Sequence, residues 1–176
     1  KIFLSNGIVK DSKLFKFKKK NQPWYYEYQK TGFNYRMNEI SASIGISQLS
    51  RLKGFLKKRN NIAKLYKKIL DKLFIRYQKI NKYNFSSYHL FVIQFDLRKT
   101  KFSYLKIFKK LRSKNYFVNL HYMPLHLSPY FKKLGFKKNQ YPNSEKYGAS
   151  SISLPIYYGL KNSEVLKICS LIKSFV

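Results

Sequence analysis

The stretch GFNYRMNEISASIGISQL, residues 32–49, contains no lysine, unlike the very basic sequence around it. It holds one arginine and one glutamate, whereas 37 basic and seven acidic residues give the 176-residue chain a net charge of +30. From Asn38 onward, small and apolar side chains occupy several sides. This pattern predicts a helix with Asn38 as its N-cap and with close neighbours on more than one face. A lysine buried in such a helix would be desolvated at a high cost in free energy.

Length and composition indicate a folded protein with a sizeable core. Apolar and aromatic residues are too abundant for a disordered chain, despite the charge. No run of about 18 uncharged apolar residues is present, so we expect no transmembrane helix and no membrane partner. Cys169, the single cysteine, cannot form an internal disulfide, and we expect a cytoplasmic protein. The chain begins at Lys1 within apolar sequence, which suggests a fragment of a longer protein.

The positive charge has two interpretations. A nucleic-acid-binding module would use it to contact phosphates, with salt-sensitive and sequence-blind affinity. The alternative is a general enrichment in lysine over every exposed face, which the dispersed runs KFKKK (16–20), LKKR (56–59) and FKKN (136–139) favour. Specific base recognition usually depends on arginine, which is scarce here. We therefore expect no specific nucleic-acid partner, and we keep the module as the alternative from a different functional class.

The periodicity of the remaining sequence predicts helices packed on a small mixed or antiparallel sheet, an α/β fold. Residues 1–36 read as irregular. The first predicted elements are a long helix over 50–73, a strand covered on both faces at 88–95, and a helix at 103–114 with Leu105, Phe108 and Leu111 inward. Strands at 116–122 and 151–155 follow. Ser163 is predicted to cap a final helix, whose buried face carries Val165, Ile168, Cys169, Ile172 and Phe175.

The three histidines offer limited chemistry. With Cys169 they match no zinc-ligand spacing, and we expect no metal site. His89 lies inside the predicted strand and is interpreted as a packing residue. His121 and His126 flank a loop after a predicted strand, where sites are commonly built.

Several segments resemble the DegT/DnrJ/StrS aminotransferases, in order and over essentially the whole chain. TGFNYRMNEISASIGISQLSRL is similar to the family's GYNYRM(T/N)(D/E)xxAAxGxxQLxxL stretch. In SNGIVKD, Asn6 replaces the histidine of the family's SHGIxRD. The other matching segments are FLKKRNNIAKLYKKIL, SSYHLFVIQF, VNLHYMPLHLSPYFKKLGF and YPNSEKYGASSISLPIYYGL.

The resemblance implies the C-terminal portion of a fold type I, aspartate-aminotransferase-like enzyme that uses pyridoxal 5'-phosphate and acts as a homodimer. By this comparison, residues 1–50 are a remnant of the large-domain and dimer-interface region, and residues 51–176 form the small C-terminal α/β domain. The Schiff-base lysine and most cofactor contacts belong to segments upstream. No catalytic residue is expected in this chain, which should be inactive alone.

The resemblance also implies site residues. Asn34 is expected to bind the cofactor phosphate of the partner subunit, and Arg36 to hold an anion of the amino donor or substrate, since a guanidinium can grip two oxygens. Arg36 as a plain surface or interface arginine remains the alternative. His121 and Tyr122 match residues that line the sugar-nucleotide pocket, with a packing role as their alternative.

The segment PWYYEYQKTGFNYRMNEI indicates a narrower class of expected substrates. It is similar to the UDP-4-amino-4,6-dideoxy-N-acetyl-β-L-altrosamine transaminases of pseudaminic acid synthesis, which use glutamate as the donor. Trp24, Tyr25 and Tyr26 carry this likeness and are expected to bind substrate. They could instead be an exposed aromatic loop that folds over the dimer partner. Another nucleotide-sugar aminotransferase, of the perosamine type, remains the alternative substrate class.

Overall fold

The computed structural model describes residues 2–17 and 22–176, so part of the KFKKK run lies outside the described residues. The backbone divides into two compact units, Lys1–Arg51 and Leu52–Val176. The interpretation of residues 1–50 as a large-domain remnant stays a prediction.

A short antiparallel hairpin organises the first unit, where the sequence suggested irregular structure. Its strands are β1 (Ile8–Val9) and β2 (Glu27–Tyr28). Short 3-10 helices at Ile2–Leu4 and Ser12–Leu14 flank β1. Strands of two residues are too short to produce a recognisable alternation of apolar and polar side chains.

One continuous helix, α1 (Glu39–Leu70), replaces the two helices predicted around residue 50. Asn38 caps it as predicted, because the side-chain Oδ1 accepts a hydrogen bond from the Ser41 N–H at 2.8 Å. In its second half, Ile62 and Tyr66 enter the core.

The first half of α1 is exposed, contrary to the burial predicted from its small side chains. Ile40 is 75% exposed and Ile44 is 58% exposed. Small side chains permit a close neighbour but do not supply one, and none of the described residues covers this face. The predicted close packing is therefore not met within this chain.

An antiparallel sheet forms the centre of the second unit, with strand order β3 (Ile75–Tyr77), β4 (Phe91–Phe95), β5 (Ser151–Leu154). Burial alternates along β4, so one face meets the core and the other is half-covered, which corrects the prediction of a strand buried on both faces. The second unit also contains α2 (Tyr104–Ser113), α3 (Pro129–Lys133), α4 (Pro142–Ser150) and α5 (Asn162–Lys173).

The core of the second unit lies between the sheet, α2, α5 and the second half of α1. The predicted buried face of α5 is confirmed. On α2 the fully buried residues are Ile107 and Leu111. Leu111 is inward as predicted and Phe108 is partly buried against the core, whereas Leu105 is exposed and Ile107 was missed. The largest fully buried side chains include Tyr66, Phe175, Ile62, Leu70, Ile93, Ile107, Leu111 and Ile152.

Two local predictions were wrong. Residues 116–122 form no strand beyond one bridge between Asn119 and Ser153, and the Val118 carbonyl oxygen accepts hydrogen bonds from the Arg112 guanidinium at 3.0 and 3.2 Å. His89 precedes β4 and is exposed, so it is not a packing residue of a strand. Within residues 2–17 and 22–176, no helix is long and apolar enough to cross a bilayer.

Candidate functional site

The NYR loop, residues 34–36, is held by a close crossing of two backbone segments in the first unit. A methyl group added at Gly7, where φ is +79°, would lie 1.6 Å from the Lys30 carbonyl oxygen. One added at Gly32 would lie 2.3 Å from the Gly7 nitrogen. Both positions therefore require glycine.

Backbone hydrogen bonds continue from this crossing into the loop. The Asn6 N–H donates to the Phe33 carbonyl at 2.9 Å, and the Tyr35 N–H donates to the Leu4 carbonyl at 3.1 Å. Asn34 lies between them in an antiparallel bridge with Ser5. The glycine crossing thus sets where Asn34 and its neighbours lie.

A cavity of about 310 Å³ opens beside the loop, within the first unit. Four of its five lining residues carry side-chain hydrogen-bond donors, and none carries a carboxylate. The lining residues are Ser5, Asn6, Ile8, Lys10 and Arg36. Two cationic side chains with a hydroxyl and an amide form a donor set suited to an anion. Sequence reasoning named Arg36 here but missed Ser5 and Lys10, although both lie in the SNGIVKD motif.

A hydrogen bond between Asn34 and Arg36 determines which of their hydrogen-bonding groups remain available to a ligand. Arg36 Nε donates to Asn34 Oδ1 at 3.0 Å, and both side chains are exposed. This bond leaves the two terminal guanidinium nitrogens of Arg36 to grip an anion, and it leaves the amide NH₂ of Asn34 as a donor.

The aromatic residues predicted to bind substrate do not line this cavity. Trp24 is 73% exposed in a turn. The Tyr25 ring meets Phe15 edge-on at 5.0 Å, and the Tyr26 ring meets Tyr28 at 5.6 Å. Tyr25 thus has a packing role in this unit, and Trp24 is the most open of the three.

Glu27 fixes the segment that carries these aromatic residues. Its buried carboxylate accepts the Lys16 and Phe17 N–H groups at 2.7 Å each, the Gln29 amide at 2.7 Å and the Tyr25 hydroxyl at 3.1 Å. Burial opposes ionisation of this carboxylate, but the two backbone and two side-chain donors together outweigh that effect. They lower the pKa of Glu27 to about 2.

His121 and Tyr122 lie together in the second unit. His121 Nδ1 lies 2.8 Å from the Ser153 hydroxyl, so Nε2 is the ring nitrogen that remains available. The Tyr122 ring packs edge-on against the His121 ring at 4.9 Å and is 71% exposed. An available imidazole nitrogen beside an open aromatic ring suits contact with a polar ligand.

His126, the second histidine of this loop, is buried and faces Glu145 rather than solvent. In the described part of the chain, no three His, Cys, Asp or Glu side chains are grouped to hold a metal ion. Burial raises the pKa of the Cys169 thiol to about 12.

The family model described as the DegT/DnrJ/EryC1/StrS aminotransferases matches residues 3–173 of this chain, which include the ordered motifs. The chain belongs to this aminotransferase family. The membership inferred from the sequence is thereby confirmed.

Several curated members of the DegT/DnrJ/EryC1/StrS family are similar to the chain. An uncharacterised protein of Methanocaldococcus jannaschii is 33% identical over 178 residues, covering 100% of this chain and 46% of its own length. The GDP-perosamine synthase of Escherichia coli is 30% identical over 150 residues, 85% of this chain and 39% of the enzyme. The UDP-4-amino-4,6-dideoxy-N-acetyl-β-L-altrosamine transaminase of Campylobacter jejuni is 30% identical over 175 residues, 95% of this chain and 42% of the enzyme.

Solved aminotransferase structures share the fold. A protein of Streptococcus pneumoniae described as a sugar aminotransferase superposes with a TM-score of 0.77 at 26% identity, over 98% of this chain and 41% of its own. It has also been solved in its PLP and PMP forms. The predicted α/β fold with a small antiparallel sheet is confirmed. The chain spans less than half the length of the family members it matches.

Proposed function

We propose that this chain is part of a pyridoxal-phosphate-dependent aminotransferase that aminates a nucleotide-linked 4-keto-6-deoxy sugar, with glutamate as the amino donor. The observation that carries the proposal is the donor-rich cavity beside Arg36 in a member of a sugar-aminotransferase family. We place the activity in pseudaminic acid or related surface-glycan synthesis, in a cytoplasmic homodimer.

The residues of the first unit fit the phosphate of pyridoxal phosphate. The cavity presents the cations of Lys10 and Arg36 and the donors of Ser5 and Asn6, with no competing carboxylate. The Asn34 amide retains its NH₂ group as a donor. A phosphate dianion requires such an excess of donors and positive charge.

When bound, pyridoxal phosphate supplies the electron sink for amino transfer, and the protein supplies binding and orientation. Asn34 would donate to a phosphate oxygen of the cofactor in the partner subunit. Arg36 would grip the carboxylate of glutamate or a phosphate of the substrate with its two terminal nitrogens.

The second unit would contribute to the sugar-nucleotide pocket. His121 would offer Nε2 as a hydrogen-bonding atom, because Ser153 already engages Nδ1. Tyr122 would offer an exposed ring face to a base or sugar ring. In the first unit, Trp24 and Tyr26 would bind substrate through their exposed rings, whereas Tyr25 would support them through its contacts with Phe15 and Glu27.

The lysine that bonds the cofactor is proposed to lie outside this chain, which would then be inactive alone. The short span of the chain relative to its relatives supports this proposal. A perosamine-type aminotransferase is the second candidate, since GDP-perosamine synthase matches 85% of the chain at 30% identity.

The test is an amino-transfer assay of the whole protein with glutamate and either a UDP-linked or a GDP-linked 4-keto-6-deoxy sugar. We expect cofactor absorbance in the purified protein and an amino sugar formed from the UDP-linked substrate. Turnover of the GDP-linked sugar alone would replace the pseudaminic-acid assignment by the perosamine type. Absence of cofactor binding and of both products would contradict the proposed function.

A further inference from the structure

The loop of residues 119–128, which carries His121 and Tyr122, makes polar contacts with α4 at two points. Tyr147 Oη donates to the His121 carbonyl oxygen at 2.8 Å. Further along, His126 Nε2 lies 2.9 Å from Glu145 Oε1. Both partners come from the same helix, two residues apart.

A steric contact lies between these two points. Gly148 faces the buried Pro124, and a methyl group added at this glycine would lie 2.6 Å from Pro124 Cδ. Real Cβ contacts are essentially never so short, so the absence of a side chain permits this approach. Gly148 therefore lets the loop lie directly against α4.

The Glu145–His126 pair is largely shielded from solvent, with Glu145 14% exposed. His126 is only 7% exposed, and the Tyr141 ring meets it edge-on at 4.9 Å. Glu145 Oε1 also accepts the Asn139 N–H at 2.6 Å. The carboxylate thus joins the end of the loop to the turn that precedes α4.

β5 follows α4 directly and holds the beginning of the same loop. The Ser153 N–H donates to the Asn119 carbonyl oxygen at 2.7 Å, and the Ser153 hydroxyl lies 2.8 Å from His121 Nδ1. Residues 119–126 of the loop are therefore held by partners that all lie within residues 145–153. One continuous stretch fixes both the backbone and the ring of His121.

We propose that Tyr147, Gly148 and Glu145 are positioning residues of the sugar-nucleotide site, because they hold the loop that presents His121 and Tyr122. This inference rests on the proposed function. The three residues do not touch substrate; they set where the His121 and Tyr122 side chains lie.

The first test measures hydrogen exchange in the whole protein, without any ligand. The amides of Leu120, Leu127 and Ser128 each donate a hydrogen bond within or beside the loop and report on its opening. Tyr147→Phe removes one hydrogen bond, and we expect exchange at these amides to rise about threefold to tenfold.

Gly148→Ala and Glu145→Gln should raise exchange at the same amides. The matched controls are Tyr83→Phe, Gly54→Ala and Glu164→Gln, which make the same three changes away from this loop. They should leave exchange in residues 119–128 unchanged. Equal exchange in the α4 variants and their controls would overturn the inference.

The second test separates the two halves of amino transfer in the same variants. The donor half, followed with glutamate through the cofactor absorbance, should remain within about twofold of wild type. The sugar half should show a raised KM for the nucleotide-linked sugar. An equal loss in both halves would show general structural damage and overturn the positioning role. A wild-type protein inactive with both sugars would contradict the proposed function instead, while exchange would still decide whether α4 fixes the loop.

Discussion

Glu27 illustrates how one carboxylate can organise a segment that has almost no regular structure. The residues around it form only a two-residue strand, yet four donors converge on the buried side chain. A carboxylate with this many hydrogen bonds is strongly favoured in its charged form. Its energetic role is therefore visible in the pH dependence of folding.

Glu27 should make the first unit sensitive to acid. Its pKa is lowered from 4.5 to about 2 on folding, so its stabilising effect is complete above the unfolded value and is lost as the pH falls toward 2. In Glu27→Gln the amide NH₂ would face donors, and the unit should be less stable at neutral pH. Urea unfolding from pH 7 to pH 2 should show the wild type converging on the variant. Glu39→Gln, at an exposed carboxylate, is the control; a constant difference between wild type and Glu27→Gln at every pH would contradict this role.

Asn34 and Arg36 should give separable defects in the whole protein, although they touch each other. Asn34→Ala removes a hydrogen bond to a charged phosphate, about 1.5–3 kcal/mol, and should weaken cofactor binding roughly tenfold to hundredfold. Arg36→Ala should retain the cofactor colour and raise KM or lower turnover. Cofactor titration by absorbance and steady-state kinetics measure the two effects. Identical losses in both variants would mean that the residues act as one structural unit.

At the scale of elements, long segments with a regular hydrophobic period could be predicted from the sequence. Short elements, and elements that depend on contacts between distant residues, could not. The face of α5 and the Asn38 cap follow from local sequence, because helical spacing and side-chain capping involve neighbours in the chain. The hairpin of β1 and β2 depends on a glycine crossing between distant segments. Residues 116–122 have the composition of a strand but pair with β5 only at Asn119, and this pairing depends on contacts between distant parts of the chain.

In the candidate site, too, the local motifs could be predicted from the sequence, whereas contacts between distant residues could not. The ordered motifs predicted Asn34, Arg36 and His121 as site residues, but the cavity that Lys10 helps to line depends on how the motifs fold together. The α4 contacts were also beyond sequence reasoning. His126 and Glu145 are 19 residues apart, and only the structure shows that they pair.

Gly54 and Gly32 differ in whether the surrounding structure leaves room for a side chain. Gly54 lies within α1 with no atom near its missing side chain, whereas a methyl group at Gly32 would meet the backbone. Gly54→Ala should stabilise the protein by about 0.5–1 kcal/mol, since alanine favours the helix. Gly32→Ala should destabilise it. Urea unfolding of both variants measures the signs, and a stabilised Gly32→Ala would contradict the crossing.

For the whole molecule, the exposed apolar face of α1 has a direct consequence for association. Ile40 and Ile44 lie one turn apart on the same side of α1 and remain largely open to solvent in this chain, and such faces rarely stay uncovered. We expect the isolated chain to associate, and Ile44→Lys to shift it toward the monomer. Sedimentation velocity measures the change, with Ser50→Lys as the charge-matched control, because the exposed Ser50 lies roughly 80–120° around the helix from Ile40 and Ile44. A monomeric wild-type chain at all concentrations would contradict this prediction.

The central claim is that the NYR loop, residues 34–36, completes the active site of a partner subunit. The direct measurement is the activity of mixed dimers made from two inactive forms of the whole protein. One carries Asn34→Ala with Arg36→Ala, and the other lacks the lysine that bonds the cofactor. If the loop acts across the dimer, each heterodimer holds one intact site, and mixing should restore amino transfer. If heterodimers form and no activity returns, the loop does not serve the partner's site.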